Sequence, residues 1–428
     1  MINFFSPPRI LMFAPSCYPP GNPEAFVNAN LVLAALEAGW EIDVISMAGM
    51  SHWYPSDNDS WARIATSVVS VAEHERTIPN QVSDALLGLI RSGHIVAGVR
   101  WALPAATEAL RLVKCKKYDF IISRALPSVA HLAAFIVARK TGIPWIANWN
   151  DPTPWDKFPE PYEGGRGSAA PLGYWTSRYY RAVADRAAWH TFPCQRLRDY
   201  VTGYLPSDIS ERSSVVPHIA LNMNSQSPTG NKVFTLMHAG SLRFPRSPET
   251  FIRGVRLFLD QVKPADGFSV VFVVDRPDEV LASARANGVE EVVQIEEGRP
   301  YSEMPAVLAR ADVLVIIEAP VAEGIFLPSK FVDYVRSGRP ILAISPRVGT
   351  LADILTVHGG GIAVDGTNPE VISAALIELY NHWKLGNIDG KYSSSKLFSQ
   401  FSQNTVLEKY KQIFSKLSEN SRERRVIS

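Results

Sequence analysis

The chain has 428 residues, of which 46% are hydrophobic and 20% are charged, a composition typical of a globular protein. The 43 Lys and Arg against 42 Asp and Glu leave a formal net charge of +1, which argues against a dedicated nucleic-acid-binding protein because such proteins carry a basic excess. The length predicts about two to three domains. Cys17, Cys115 and Cys194 are widely spaced, so we expect neither a disulfide framework nor a zinc site and favour a reducing compartment.

Strands and helices are predicted to alternate along the first half. Short apolar segments have the length of buried parallel strands at residues 10–14, 41–46, 119–123, 144–148, 185–191 and 214–216. Apolar residues at helical spacing lie between them at residues 25–38 and 127–141. The polar segment 51–81 is expected to form an insertion or lid, and residues 156–170 a loop over a cleft.

A polar, breaker-rich stretch at residues 222–231 predicts a domain boundary, and the alternation restarts after it. We therefore predict two domains, residues 1–222 and 232–397, followed by a helix at 398–417 and a frayed tail, with residues 398–428 packing back on the first domain. The fold class is α/β, with two doubly wound, Rossmann-like domains facing each other across a cleft. Ligands of such sheets bind outside the carboxyl ends of the strands.

Residues 318–345 carry the strongest chemical signal. Lys330 lies in the first turn of a predicted helix that begins after Pro328, where a cation opposes the helix dipole unless an anion binds there. Asp333 lies three residues later, on roughly the same face, and would accept hydrogen bonds from a ribose. The alternative is a local Lys–Asp pair on a solvated helix.

Residues 328–344, PSKFVDYVRSGRPILAI, closely resemble the donor-site motif of the family 4 glycosyltransferases, which have the GT-B fold. The resemblance continues in order through most of the chain, at residues 33–46, 143–155, 238–258, 311–317 and 359–376. It implies transfer of a sugar from a nucleotide diphosphate sugar to the hydroxyl of a glycan or lipid-linked glycan, with retention at the anomeric carbon. In such enzymes the C-terminal domain binds the nucleotide and the N-terminal domain binds the acceptor.

The resemblance also implies individual roles. Lys330 would contact the diphosphate and Asp333 the ribose, while Gly240 would allow close backbone approach. The implied donor-binding residues are Gly240, Arg243, Arg246, Ser329, Lys330 and Asp333. Cations and a helix N-terminus would stabilise the departing diphosphate. Because no Asp-x-Asp carboxylate cluster is present, we expect no metal ion and no cofactor besides the substrate.

Asp151 follows a predicted strand, where a carboxylate would orient an acceptor hydroxyl or accept its proton, although a turn Asp before a proline is the alternative. Glu323 is the candidate sugar-contacting carboxylate, because Ile325 occupies the position of the family's first glutamate. The predicted acceptor-side residues are Gly21, Asn22, Asn148 and His131. For His131 the alternative is a packed core histidine, and His218 lies near the predicted hinge.

Two other functions share this architecture: a nucleotide-sugar 2-epimerase, and a non-catalytic nucleotide-binding protein derived from a transferase. The basic stretch at residues 111–117 would touch anionic lipid, or else only favour the dipole of a helix end. Without an apolar run long enough for a membrane span, we expect a cytoplasmic protein, peripheral to the inner face of the membrane, with no nucleic-acid partner. The resemblance suggests polysaccharide biosynthesis.

Overall fold

Apolar segments such as Val313–Ile317 form strands that are buried on both faces, as parallel sheets covered by helices require. The structure, a computed structural model, describes residues 7–19, 21–48, 58–73, 81–222, 230–264 and 267–427. Within these ranges the strands form two parallel sheets, one of seven strands and one of six.

The N-terminal sheet has the strand order β3-β2-β1-β4-β5-β6-β7. Its strands are β1 (Arg9–Phe13), β2 (Glu41–Met47), β3 (Val68–Val71), β4 (Phe120–Ala125), β5 (Trp145–Trp149), β6 (Trp189–Phe192) and β7 (Ser213–Val215). Its helices are α1 (Pro23–Glu37), α2 (Asn58–Ala65), α3 (Gln81–Ser92), α4 (Val99–Cys115), α5 (Val129–Thr141), α6 (Tyr174–Arg186) and α7 (Gln195–Thr202). The strand order reverses between β1 and β4, which opens a crevice at their carboxyl ends.

The C-terminal sheet has the order β10-β9-β8-β11-β12-β13 and reverses between β8 and β11. Its strands are β8 (Phe234–Ala239), β9 (Phe268–Val273), β10 (Val293–Glu296), β11 (Val313–Ile317), β12 (Ile341–Ser345) and β13 (Gly361–Asp365). The helices are α8 (Glu249–Val262), α9 (Asp278–Ala286), α10 (Met304–Ala309), α11 (Ser329–Ser337), α12 (Thr350–His358), α13 (Pro369–Lys384), α14 (Ile388–Lys391), α15 (Ser395–Phe401) and α16 (Gln403–Ile427). The predicted fold class of two doubly wound α/β domains is thus confirmed.

Three local predictions need correction. The strand expected at 185–191 begins only at Trp189, because α6 continues through Arg186. The helix expected at 398–417 is split at Ser402, and α16 continues to Ile427 instead of ending in a frayed tail. The segment 51–81 contains α2 and β3, while residues 51–57 and 74–80 lie outside the described residues. Residues 223–229 of the predicted boundary also lie outside them.

The last helix returns to the first domain. Phe414 of α16 stacks on Phe120 of β4 with ring centroids 4.3 Å apart, and it also contacts Trp40. The two domains meet directly as well, because α11 packs against α1 and the Cys194 thiol donates to the carbonyl oxygen of Ile325 at 3.1 Å. No helix among the described residues combines the length and the hydropathy that a membrane span needs.

Candidate functional site

Lys330 lies at the carboxyl edge of the C-terminal sheet, in the first turn of α11. Its Nζ is 3.2 Å from Nε2 of His238, and a Cβ at Gly240 would lie 3.0 Å from the same Nζ. Gly240 has φ of +111°, in the region that favours glycine. A glycine is therefore favoured here both by the backbone conformation and by the close approach of Lys330. Nδ1 of His238 lies 2.9 Å from the Val315 carbonyl oxygen and Nε2 lies 3.1 Å from the Gly240 carbonyl oxygen, so the imidazole is held between two backbone segments beside the lysine.

Arg246 and Glu318 lie close enough to this ammonium group to act on its pKa. Burial lowers the pKa of Lys330, and Arg246 lowers it further, while Glu318 acts in the opposite direction. Burial likewise raises the pKa of Glu318, against the effects of Arg246 and Lys330. The sequence analysis did not single out Glu318, although its position directly after the buried strand β11 was a usable signal. The edge therefore brings charges of both signs close to Lys330.

Arg246 also faces the N-terminal domain. Burial raises the pKa of Asp151 to about 7, and Arg246 opposes this rise. The pKa of Tyr162 is raised to about 12 by burial, and Arg246 hydrogen-bonds its hydroxyl. Asp151 comes two residues after the end of β5, at the carboxyl edge of the first sheet. The charge of the predicted donor-side Arg246 thus acts across the cleft on the predicted catalytic Asp151.

Arg243 and Ser329 complete the predicted donor side. Arg243 donates from Nη2 to Oδ2 of Asp275 at 3.0 Å and from Nε to Oγ of Ser241 at 2.9 Å, which fixes the loop after β8. Ser329 is the first residue of α11, and its N-cap Pro328 offers no side-chain hydrogen bond to the first-turn amides. Free amides at a helix start are suited to an anion.

A second carboxylate, Glu24, lies on the N-terminal side of the cleft. Asn150 donates from Nδ2 to both of its carboxylate oxygens, at 2.7 and 2.9 Å, and Asn28 donates to Oε1 at 3.0 Å. Burial raises the pKa of Glu24 to about 8, Arg124 opposes the rise and Asp151 adds to it. The sequence analysis missed this group, whose only signal was an acid in the first turn of α1.

Two predicted acceptor-side residues lie in the core instead. Asn148 has no exposed surface and donates from Nδ2 to Oγ1 of Thr191 at 3.1 Å. His131 is equally buried, with Nδ1 2.7 Å from Oγ of Ser123 and its ring against Trp149, and burial lowers its pKa to about 3. Neither side chain reaches the cleft, because each points into an interface between the sheet and the helices that cover it.

Asn22 and the buried Gly21 lie at the start of α1. Asn22 accepts a hydrogen bond from the Ala25 amide at 2.9 Å, so its side chain caps the helix. It also lines a cavity of about 170 Å³ at the carboxyl ends of β1 and β2, together with Ser16 and Ser46. His218 is buried near Arg124, and burial lowers its pKa to about 3.

Glu323 lies elsewhere than expected. Its carboxylate accepts from Nη1 of Arg196 at 2.5 Å, and its side chain is 49% exposed. Arg196 also pairs with Asp353, so Glu323 belongs to an exposed ion-pair group that joins α7 to the C-terminal domain. Glu318, not Glu323, is the carboxylate beside Lys330.

Asp333 is held by a tyrosine. The Tyr301 hydroxyl donates to Oδ1 of Asp333 at 2.6 Å, and the Tyr301 ring stacks on Phe26 of α1 with centroids 5.0 Å apart. Arg336 lies over the same ring, 5.0 Å from its centroid. Burial raises the pKa of Asp333, whereas Arg336 and Tyr301 lower it. Oδ1 of Asp333, the predicted ribose ligand, is thus already engaged by the protein.

A narrow cavity of about 10 Å³ lies beside Glu318, between the domains. Tyr162 lines it from the N-terminal side, and Phe326, Ser345 and Thr350 line it from the C-terminal side. Within the part of the chain that the structure describes, the buried Oγ of Ser345 has no hydrogen-bond partner. The cavity beside this hydroxyl has room for about one water molecule, and no sequence signal pointed to it.

No protein-family model and no curated protein sequence matches the chain. Solved structures do. A glycosyltransferase from Rickettsia africae is 10% identical with a TM-score of 0.67, and the match covers 97% of this chain and all of that one. HepE from Anabaena, solved with UDP and glucose, is 12% identical with a TM-score of 0.64, covering 95% and 99%. A putative UDP-N-acetylglucosamine 2-epimerase from Listeria monocytogenes is 12% identical with a TM-score of 0.55, covering 94% and 95%. The chain therefore has the two-domain GT-B fold, as its resemblance to glycosyltransferases predicted.

Proposed function

We propose that this protein is a glycosyltransferase that moves a sugar from a nucleotide diphosphate sugar to an acceptor hydroxyl. The observation that carries the proposal is the position of Lys330 at the start of α11, beside His238 and Gly240, opposite Asp151 just after β5. Arg246 acts on the pKa of both groups, which supports their placement on two sides of one cleft. Cations face the side where a diphosphate leaves, and a carboxylate faces the side where a hydroxyl attacks.

On the donor side, Lys330, Arg246 and the first-turn amides of α11 would bind the diphosphate. As the bond from the anomeric carbon to the phosphate oxygen breaks, its electron pair stays on that oxygen, and the developing charge is stabilised by these fixed donors. Gly240 supports this role by leaving room for Lys330 beside the loop.

On the acceptor side, Asp151 would accept a hydrogen bond from the attacking hydroxyl and then its proton. A carboxyl with a pKa of about 7 is close to the value that suits a general base near neutral pH. We infer a glycan or lipid-linked glycan as acceptor, and retention of configuration, from the family resemblance. Retention would follow if the acceptor attacks on the face from which the diphosphate departs.

A nucleotide-sugar 2-epimerase is the second candidate. The structural likeness to a putative enzyme of that kind and the two carboxylates with raised pKa values, Glu24 and Asp151, favour it. An epimerase needs such groups to remove a proton and return it. It would convert a nucleotide sugar without any acceptor.

The test begins with a thermal-shift screen of nucleotide diphosphates and their sugars, because a ligand that binds the native state raises its stability. Sugars that shift the transition are then incubated with the protein, with and without glycan acceptors, and followed by NMR. Release of the nucleotide diphosphate that depends on the acceptor supports the transferase. Conversion to an epimer without acceptor supports the second candidate, and binding without turnover contradicts both.

A further inference from the structure

Helix α3 carries an exposed row of apolar side chains. Val82 is 68% exposed, Leu86 55%, Leu89 38% and Ile90 71%. Their spacing of four, three and one residues places them on one face of the helix. We call these four residues the α3 stripe. The opposite face is closed by Gly88, where an added Cβ would lie 2.5 Å from the His94 carbonyl oxygen.

Cations surround the end of α3. His94, which follows the helix, packs its ring against Phe135 of α5 and Tyr179 of α6, with centroids 5.3 and 5.7 Å away. The guanidinium group of Arg139 lies over the Phe135 ring, 5.5 Å from its centroid, and Arg178 directly precedes Tyr179, so two cations lie on the elements that pack against His94. Burial and these two arginines lower the pKa of His94. The end of the stripe therefore adjoins a basic surface formed by α5 and α6.

Aromatic side chains extend this surface. Tyr174 is 71% exposed and Trp175 40% exposed, both in the first turn of α6, with the exposed Arg178 one turn later. Arg91 is exposed in the last turn of α3. The acid of α3, Asp84, is already paired with Arg100 at 2.5 Å. The apolar stripe thus lies in positively charged surroundings.

We propose that the α3 stripe docks on the surface of an anionic lipid bilayer, with the helix axis parallel to the membrane. An exposed apolar face bordered by arginines and aromatic residues has the chemistry of an interfacial helix. The four apolar side chains enter the boundary between headgroups and acyl chains, while Arg91, Arg139 and Arg178 contact lipid phosphates. The charge is what favours a lipid surface over an apolar protein partner.

The stripe is also on the cleft side of the N-terminal domain. An added Cβ at Gly98, before α4, would lie 3.1 Å from Val129, the first residue of α5. Because α5 follows the carboxyl end of β4, and Asp84 of α3 pairs with Arg100 in the first turn of α4, α3 lies toward the sheet edge that also carries Asp151. Docking would therefore bring the cleft close to the headgroups.

The basic stretch 111–117, expected from the sequence to touch lipid, is placed less suitably. It lies at the far end of α4, before the amino end of β4. Arg111 pairs with Glu108 at 2.6 Å, and Lys116 pairs with Asp43 at 2.9 Å. We therefore assign the lipid contact to the α3 stripe, near the start of α4, and not to the end of α4.

The experiment is flotation of the full chain with vesicles of phosphatidylcholine, alone or with about 30% phosphatidylglycerol. The test variant is Leu86→Glu with Ile90→Glu, and the control is Val357→Glu, which changes a 60% exposed residue of α12 in the other domain. We expect the wild type and the control to bind the anionic vesicles and the double variant to bind at least about tenfold less. Added salt should weaken the wild-type binding.

The replaced side chains are exposed, so all three proteins should share one thermal unfolding midpoint, which checks folding. Equal vesicle binding by the double variant and the wild type would overturn the proposal, as would wild-type binding that ignores phosphatidylglycerol. Analytical ultracentrifugation tests whether a second copy of the chain occupies the stripe instead. A wild-type oligomer that the double variant dissociates would assign the stripe to a contact between copies of the chain and also overturn it.

Discussion

Replacing Lys330 by Met tests the proposed diphosphate site most directly. Methionine keeps much of the length and apolar volume of the lysine side chain while removing its charge. It leaves Gly240 its space and His238 its bond to the Val315 carbonyl oxygen. The expected loss is therefore confined to the ammonium group.

The magnitude follows from one charge-assisted hydrogen bond. Losing such a bond to a diphosphate costs about 1.5–3 kcal/mol, which corresponds to a dissociation constant about 10- to 150-fold higher. Arg246 and the first-turn amides of α11 remain, so binding weakens without vanishing. The same substitution at the exposed Lys391 of α14 serves as the control and should leave the affinity unchanged.

Isothermal calorimetry measures this affinity and a second quantity. Because burial lowers the pKa of Lys330 in the free protein, diphosphate binding above neutral pH should draw a proton onto the amine. Titrations in two buffers of different ionisation enthalpy report that uptake, which should grow as the pH rises from 7 to about 9. The Lys330→Met variant should lose it. Unchanged affinity together with unchanged proton uptake would refute the placement of the diphosphate at Lys330.

Three further predictions concern the other ionisable groups. Asp151→Asn should lower turnover about 100-fold or more and leave nucleotide affinity unchanged. The wild-type rate should fall below about pH 7, because Asp151 becomes protonated there. A wild-type pH–rate profile that is flat across this range would contradict the role of Asp151 as a base. Tyr301→Phe removes the hydrogen-bond donor to Asp333 and should reduce the free energy of unfolding, measured by urea titration, by about 1–3 kcal/mol. Nucleotide binding should become tighter if a ribose hydroxyl bonds to the freed carboxylate. Unchanged stability would argue against the observed contact. Glu24 has a folded pKa of about 8 against 4.5, so the folded state binds more protons and wild-type stability should fall as the pH rises from about 4.5 to 8. Glu24→Gln should flatten that slope and raise stability at pH 8 by on the order of a few kcal/mol, and parallel stability curves for the two proteins would count against the buried carboxylate.

The strands and the two-domain organisation could be predicted from local patterns. Apolar segments such as residues 313–317 are buried whatever surrounds them, and glycine at the end of α11 stops that helix by its own backbone freedom. The segments that the sequence analysis did not predict, among them α3 and β13, have ambiguous patterns. Their packing against neighbouring elements decides whether they form a helix or a strand. The α3 stripe is apolar yet exposed, whereas helix prediction from periodicity assumes that the apolar face of a helix is buried.

The candidate site divides in the same way. The chain order alone placed Lys330 at a helix start and Asp151 at a strand end, because both depend on local structure. Whether a side chain points into the cleft or into the core depends on the register of β5 and α5, which sent Asn148 and His131 inward and brought Glu24 and Asn150 together. The contacts of Tyr301 with Asp333 and of Arg196 with Glu323, and the effect of Arg246 on Asp151, join residues far apart in the chain. A single sequence determines which groups are present and where each element begins. Only the packing of the two domains decides which charges meet, because burial and distance set their interactions.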